Sequence, residues 1–295
     1  MSAPEKAGRK ARPRRTSSRV LSTTLKYLCS ASAFLISGIL LAVIGYFVSI
    51  GGSAINWQLF SELPQARGME GYPGGMLNAI LGTCVLLVLA SVVGIPVGIL
   101  TGIFLSEYGS ESRIAAPARF VCDVLAGVPS IVVGILGYEL LVVPIGHYNG
   151  YAGAFALAIV MIPIVARSTE EMLRLVPNTI REASIALGAT RAHTIMKVVL
   201  PAATGGVVTG VMLAMARVAS ETAPLLFTAL GSRLLTLDPS QPLPSLTVHI
   251  FNQATGPYRE EQTQAWAGML ILILLVFVLN LAVRFSLRKS TLKLG

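Results

Sequence analysis

Two ionisable residues stand inside an apolar run where insertion into a membrane would penalise both. Arg217 and Glu221 lie within ATGGVVTGVMLAMARVASETAPLLFTAL, positions 203–230, whose other residues are apolar, small or hydroxylated. An arginine at the centre of a spanning helix costs about 2.5–3.5 kcal/mol on insertion scales, and a carboxylate a similar amount. Two readings meet that cost. Four residues apart on one helix face, the side chains can form an internal ion pair that reduces the cost of each. Alternatively, Arg217 offers a planar fork of donors to an oxyanion, while Glu221 holds the guanidinium and limits how tightly the anion stays. Ser220 and Thr222 add hydroxyl donors, and Pro224 frees the carbonyl of Ser220 between the pair. Charge alone does not separate phosphate from sulfate, nitrate or a carboxylate.

The second informative stretch is VPNTIREASIALGATRAHTIMKVVLP, 176–201. Thr179 followed three residues later by Glu182 has the spacing of a capping box, which predicts a helix from Ile180, and Gly188 is suited to the left-handed turn that ends it. Thr190 then caps a second short helix that Pro201 closes. Ile180, Ala183 and Leu187 form a narrow apolar stripe, with Arg181 and Glu182 off it. Two turns are not stable alone, so the element needs a groove, on its own protein or on a partner.

These groups must be positioned by membrane helices. The chain has 295 residues, of which 54% are hydrophobic and only 13% charged, with a mean hydropathy of +0.71. Six apolar stretches, 28–50, 77–105, 120–144, 150–166, 206–230 and 265–283, are each long enough to cross a core of about 30 Å. The first is too long for the core of a signal peptide and is read as a span. No polar segment is large enough to hide a soluble catalytic domain. With the N-terminus on the cytoplasmic side, the segments before 28, 106–119, 167–205 and after 283 carry 8, 2, 5 and 4 Lys/Arg, against three (Arg67, Arg233, Arg259) on the other side. The net charge of +9 is therefore a topology signal rather than a nucleic-acid footprint; attraction of the basic tail to anionic lipid is a second reading.

Cys29, Cys84 and Cys122 have no metal-ligand spacing, His147, His193 and His249 fall in three separate loops, and no P-loop, G-x-S-x-G or H-E-x-x-H pattern occurs. The chain is therefore not read as an enzyme acting alone. Asp123, Glu139 and His147 read first as groups facing water. Gly94, Gly98 and Gly102, and likewise Gly206, Gly210 and Ala214, place small residues on one helix face, for packing within a bundle or between subunits. Pro96, Pro129, Pro163 and Pro224 fall inside predicted spans and should kink them.

Glu182-Ala183-Ser184, Gly188 six positions after the glutamate, and Leu200-Pro201 resemble the EAA loop of the permease subunits of bacterial ABC importers. Ser184 stands where that pattern usually has a second alanine. SETAPLLFTAL at 220–230, LAGVPSIVVGILGY at 125–138 and GGMLNAILGT at 74–83 are similar to the phosphate-importer branch of that family, over most of 70–285. The resemblance implies an all-α integral membrane protein of six transmembrane helices with the type I, MetI-like permease fold. Taken with the charge pattern, the chain divides into a basic cytoplasmic tail (1–27), which lies outside the resemblance, a permease domain (28–285, coupling loop about 167–205) and a cytoplasmic C-terminal tail (286–295). The resemblance also implies a bacterial cytoplasmic membrane protein with both termini inside, carrying phosphate past Arg217 and Glu221. Glu182, Ala183, Ser184, Leu187 and Gly188 would couple it to a cytoplasmic ATPase dimer. A second permease subunit and an extracytoplasmic phosphate-binding protein complete the implied partners. The chain itself would bind no cofactor and hydrolyse nothing, ATP and magnesium belonging to the ATPase. The rival readings are an importer for another oxyanion, and a membrane scaffold or sensor that moves no solute.

Overall fold

The structure of the chain, a computed structural model, describes residues 16–65, 74–109 and 112–291, with side chains described between 22 and 281. Two compact units are defined, the first ending at Ser49 and the second beginning at Ile50. The first is the bulk of one helix, α1 (Thr16–Gly51), which contains the expected span 28–50. Residues 1–15 of the expected basic tail lie outside the described residues.

The second unit begins with a short helix, α2 (Trp57–Ser61), capped by Asn56, whose side chain accepts from the Leu59 N–H at 2.8 Å. The helix α3 (Leu77–Tyr108) crosses next, followed by α4 (Ala115–Gly127) and α5 (Ser130–Ile145). The expected span 120–144 is thus not one helix. It breaks at Val128 and Pro129 with a bend of 102°, because the proline ring drives the preceding residue to extended backbone, here φ −66° and ψ 132° at Val128.

After the break come α6 (Gly150–Arg174), α7 (Asn178–Ala186) and α8 (Arg191–Ala219), then α9 (Ala223–Thr228), α10 (Leu246–Ala254) and α11 (Arg259–Thr291). Five of the described helices are long and apolar enough to cross a membrane, or six with α4 and α5 counted as one broken span. Two further boundaries differ from expectation. The fourth span runs on to Arg174 rather than ending at 166, and the fifth covers 191–219 rather than 206–230. Pro201 does not close a helix: a wide π turn over Ile195–Val199 precedes it, and the ring falls in the first turn of the following α-helical stretch, where a missing N–H leaves no gap.

The helix α6 is the axis of the packing. Its Leu157, Met161 and Val165 join Leu86, Leu87 and Ala90 of α3 and Val211, Ala214 and Val218 of α8 in one buried cluster. Both glycine faces turn toward it. A Cβ at Gly94, Gly98 or Gly102 would lie 2.5–2.9 Å from Met161, Val165 or Thr169, and one at Gly206 or Gly210 would strike Met172 or Ser168. The small residues therefore serve packing within the chain, where close backbone approach supplies van der Waals contact that lipid cannot.

Two alanine substitutions test that packing. At Gly98 the new Cβ would sit 2.7 Å from the Cβ of buried Val165, so Gly98→Ala is expected to cost about 1–3 kcal/mol. It should lower the unfolding temperature in detergent by several degrees. Gly205 has nothing within 4 Å, and Gly205→Ala should leave that temperature unchanged or slightly raised, since alanine is the better helix former.

Candidate functional site

The Arg217–Glu221 pair sits at a helix break rather than at the centre of a continuous span. Arg217 occupies the last turn of α8, which ends at Ala219, and Glu221 lies just beyond. The Ser220 hydroxyl donates back to the Arg217 carbonyl at 2.8 Å, satisfying a group that the end of the helix leaves open. Pro224, expected inside the span, falls instead in the first turn of α9, where its absent N–H is not missed. Thr222 is the residue before α9 and makes no side-chain cap to it.

The break is pinned from several directions. The Thr247 hydroxyl on α10 donates to the Glu221 carbonyl at 3.0 Å. The N-terminus of α10 is fixed in turn, its Leu246 N–H donating to the buried Thr83 hydroxyl of α3 at 2.8 Å. Beyond α9, the Asn149 N–H donates to the Thr228 carbonyl at 3.1 Å. The backbone of Pro224 lies against Gly134 of α5, whose missing Cβ would come within 2.7 Å of it. The backbone at 220–222 is therefore held by α3, α5 and α10 together.

On that scaffold the side chains are only loosely paired. The Arg217 Nε lies 3.8 Å from the Glu221 Oε1; the arginine is 60% exposed and the glutamate 13%. At 3.8 Å through a single nitrogen the pair lacks the two-pronged geometry of a strong ion pair. The ion pair expected from the spacing is thus present in a loose form, and the guanidinium keeps donors open beside a mostly buried carboxylate.

The second constellation lies at the other end of α8. Helix α7 starts at Asn178 behind Pro177, with no side-chain cap, so the Thr179/Glu182 capping box does not form. Gly188 does adopt φ +87°, and the Thr190 side chain caps α8, accepting from the His193 N–H. Leu187 falls at the end of α7 rather than inside it. Ile180 is 41% and Leu187 90% exposed, and Glu182 and Ala183 are exposed as well, while Ser184 turns inward to share a hydrogen bond of 2.9 Å with Thr194. Ile180 borders a pocket with Met172, Val176 and Ala203, whereas Leu187 at the end of the stripe is left open.

Beneath α7 lies a charge cluster that reading the sequence did not assemble. Glu107, buried at the end of α3, receives the Arg181 side chain at 2.7 and 3.1 Å. Glu170 of α6, also buried, receives Arg119 at 2.7 Å and Arg174 at 2.6 Å. Arg119 further donates to the Leu105 carbonyl at 2.6 Å and Arg191 to that of Glu107, so arginines occupy carbonyls at the end of α3. The signal available in sequence was an acid at the end of an apolar span among positive segments. Of the other acidic candidates, Asp123 forms an exposed pair with Arg167 at 3.1 Å, and Glu139 is exposed. The His147 ring contacts the Tyr148 carbonyl in an exposed turn. No group of three metal-ligating side chains occurs among the described residues.

Five helices long and apolar enough to cross a membrane, a further span broken at Pro129, an exposed two-turn element and a charged pair at a helix end describe a multi-pass membrane protein. The model of the binding-protein-dependent transport system inner membrane component matches residues 94–291, and the chain belongs to that family. Among its relatives is the phosphate transport system permease protein PstA of Yersinia pestis, 43% identical over 82% of both chains. The protein of the same name from Haemophilus influenzae is 42% identical over 80% of this chain and 83% of its own. PstA 1 of Mycobacterium tuberculosis is 40% identical over 72% and 70%. The fold matches the inward-facing MetNI methionine ABC transporter with a TM-score of 0.55 at 21% identity, covering 73% of this chain and 94% of that one.

Neutralising one charge in each cluster separates buried from surface pairing. Glu170→Gln removes the buried carboxylate that Arg119 and Arg174 share and should cost about 1.5–3 kcal/mol, read as a marked fall in unfolding temperature. Arg167→Gln removes pairs whose members are all more than half exposed and should change stability by about 1 kcal/mol or less.

Proposed function

We infer that this chain is a membrane-spanning permease subunit of an ATP-driven importer that carries inorganic phosphate into the bacterial cytoplasm. The family and fold supply the transport role, and relatives that are 40–43% identical and bear the name of a phosphate permease supply the substrate. The observation that carries the site is the open guanidinium of Arg217 beside Glu221 at a pinned helix break. Such a fork binds an oxyanion through charge-assisted hydrogen bonds, and the neighbouring carboxylate keeps the binding weak enough for release.

In this reading α7 is the cytoplasmic coupling helix. Its exposed residues Ile180, Glu182, Ala183 and Leu187 insert into a cleft of a dimeric ATPase, where ATP and magnesium act. A second, related permease subunit covers the open face of Arg217, and an extracytoplasmic phosphate-binding protein delivers the anion. The positive segments, both termini and α7 then lie on the cytoplasmic side. The chain performs no covalent chemistry; it alternates access to the Arg217 region as the ATPase closes.

The test is phosphate uptake in cells lacking the native subunit, complemented with wild type or Arg217→Gln, with ATPase assembly checked by pull-down. Uptake should fall at least about tenfold with assembly intact, as expected for loss of charged hydrogen bonds worth about 1.5–3 kcal/mol. Wild-type uptake in the variant would return the pair to a structural role. Leu187→Asp makes the complementary prediction. It places a carboxylate in the apolar contact, and should release the ATPase from the pull-down while leaving the permease in the membrane.

A further inference from the structure

Helix α7 poses a mechanical problem: nine residues long, it buries none of its side chains, and two turns do not hold together alone. What fixes it is polar: a hydrogen bond shared by Ser184 and Thr194 and, with more contacts than any other side chain of the helix, Arg181. The Arg181 side chain, only 17% exposed, donates Nη2 to Glu107 Oε1 at 2.7 Å and Nε to Glu107 Oε2 at 3.1 Å, a two-pronged pair with a carboxylate that is 7% exposed. The same guanidinium donates to the Leu173 carbonyl at 2.9 Å and the Val176 carbonyl at 2.5 Å, which belong to the end of α6 and the chain just past it. Glu107 and its neighbour are also grasped by the first residue of α8: Arg191 donates to the Glu107 carbonyl and stacks over the Tyr108 ring at 4.8 Å.

The ends of α3 and α6 and the start of α8 thus meet α7 at a single node, and α8 runs uninterrupted from Arg191 to Arg217, about 39 Å away along its axis. We propose that Glu107 and Arg181 are positioning residues for energy coupling: their buried pair clamps α7 to the transmembrane helices, so that a displacement imposed on α7 reaches the Arg217 end of α8. Neither residue lies on the exposed face of α7 that meets the ATPase, and neither touches the anion. Losing the clamp leaves α7 able to dock but loosely tethered, so ATP is hydrolysed without moving the permease.

This inference rests on the proposed phosphate-importer reading, and two readouts keep the two apart. In the assembled, reconstituted importer, Glu107→Gln should retain its ATPase but transport at least about tenfold less phosphate per ATP hydrolysed, the scale of losing a buried charge partner. Arg181→Lys keeps the charge and loses the fork, so it tests the same clamp without an unpaired buried carboxylate; it should lower the ratio less, with assembly intact. The double variant Glu107→Gln/Arg181→Gln should be no worse than Glu107→Gln, because both changes remove one link. Amide hydrogen exchange over residues 178–187 of the same complexes needs no substrate, and should quicken at least about tenfold in Glu107→Gln, less in Arg181→Lys. A wild-type ratio in both single variants, or unchanged exchange in both, overturns the clamp. A wild-type complex that moves no phosphate overturns the substrate reading alone, and the exchange result still decides the clamp.

Discussion

The contact on which the other features depend is the close approach of α3 and α8 to α6. In lipid there is no hydrophobic drive between apolar helices, so their association rests on van der Waals fit. Glycines at 94, 98, 102, 206 and 210 provide it by letting neighbouring backbones rest on Met161, Val165, Thr169, Met172 and Ser168. With both helices seated on one axis, the arginines at the two ends of α8 are placed at once. Arg191 meets the end of α3, and Arg217 meets the break held by α5 and α10.

Much of this was legible in the chain. The spans announced themselves by length and hydropathy, Arg217 and Glu221 by being ionisable in an apolar run, and Gly188 and Thr190 by local turn and cap chemistry that the structure retains. Prolines were harder to read, because their effect depends on neighbours. Pro129 breaks a span, Pro96 and Pro163 lie within helices that continue, and Pro201 is absorbed by a π turn. Reading Pro201 as a stop concealed that the second short helix of the coupling segment and the fifth span are one helix. The capping box failed for a related reason: Pro177 lets the helix start at Asn178, before Thr179 can act as a cap. Glu107 and Glu170 escaped notice because their partners include Arg181 and Arg119, 74 and 51 positions away in sequence. Local periodicity carries no information about such pairs.

The two charged sites differ in how they treat charge. At the α7 end the acids are buried and surrounded by arginines, an arrangement that holds elements in fixed relation. At the far end the arginine is open and its carboxylate partner stands off at 3.8 Å, an arrangement that leaves donors for a passing anion. In the proposed importer the first would be a stiff input where the ATPase pushes, and the second a forgiving site where an ion binds and leaves.

In the proposed mechanism, movement at α7 changes which side of the membrane reaches the Arg217 break. It is tested most directly by placing a cysteine at exposed Ser220 in a chain whose Cys29, Cys84 and Cys122 are replaced, and labelling the assembled importer with a membrane-impermeant thiol reagent from each side. Labelling should come from the cytoplasmic side without nucleotide and switch to the extracytoplasmic side when the ATPase is trapped closed. The same labelling pattern in both states would contradict the account.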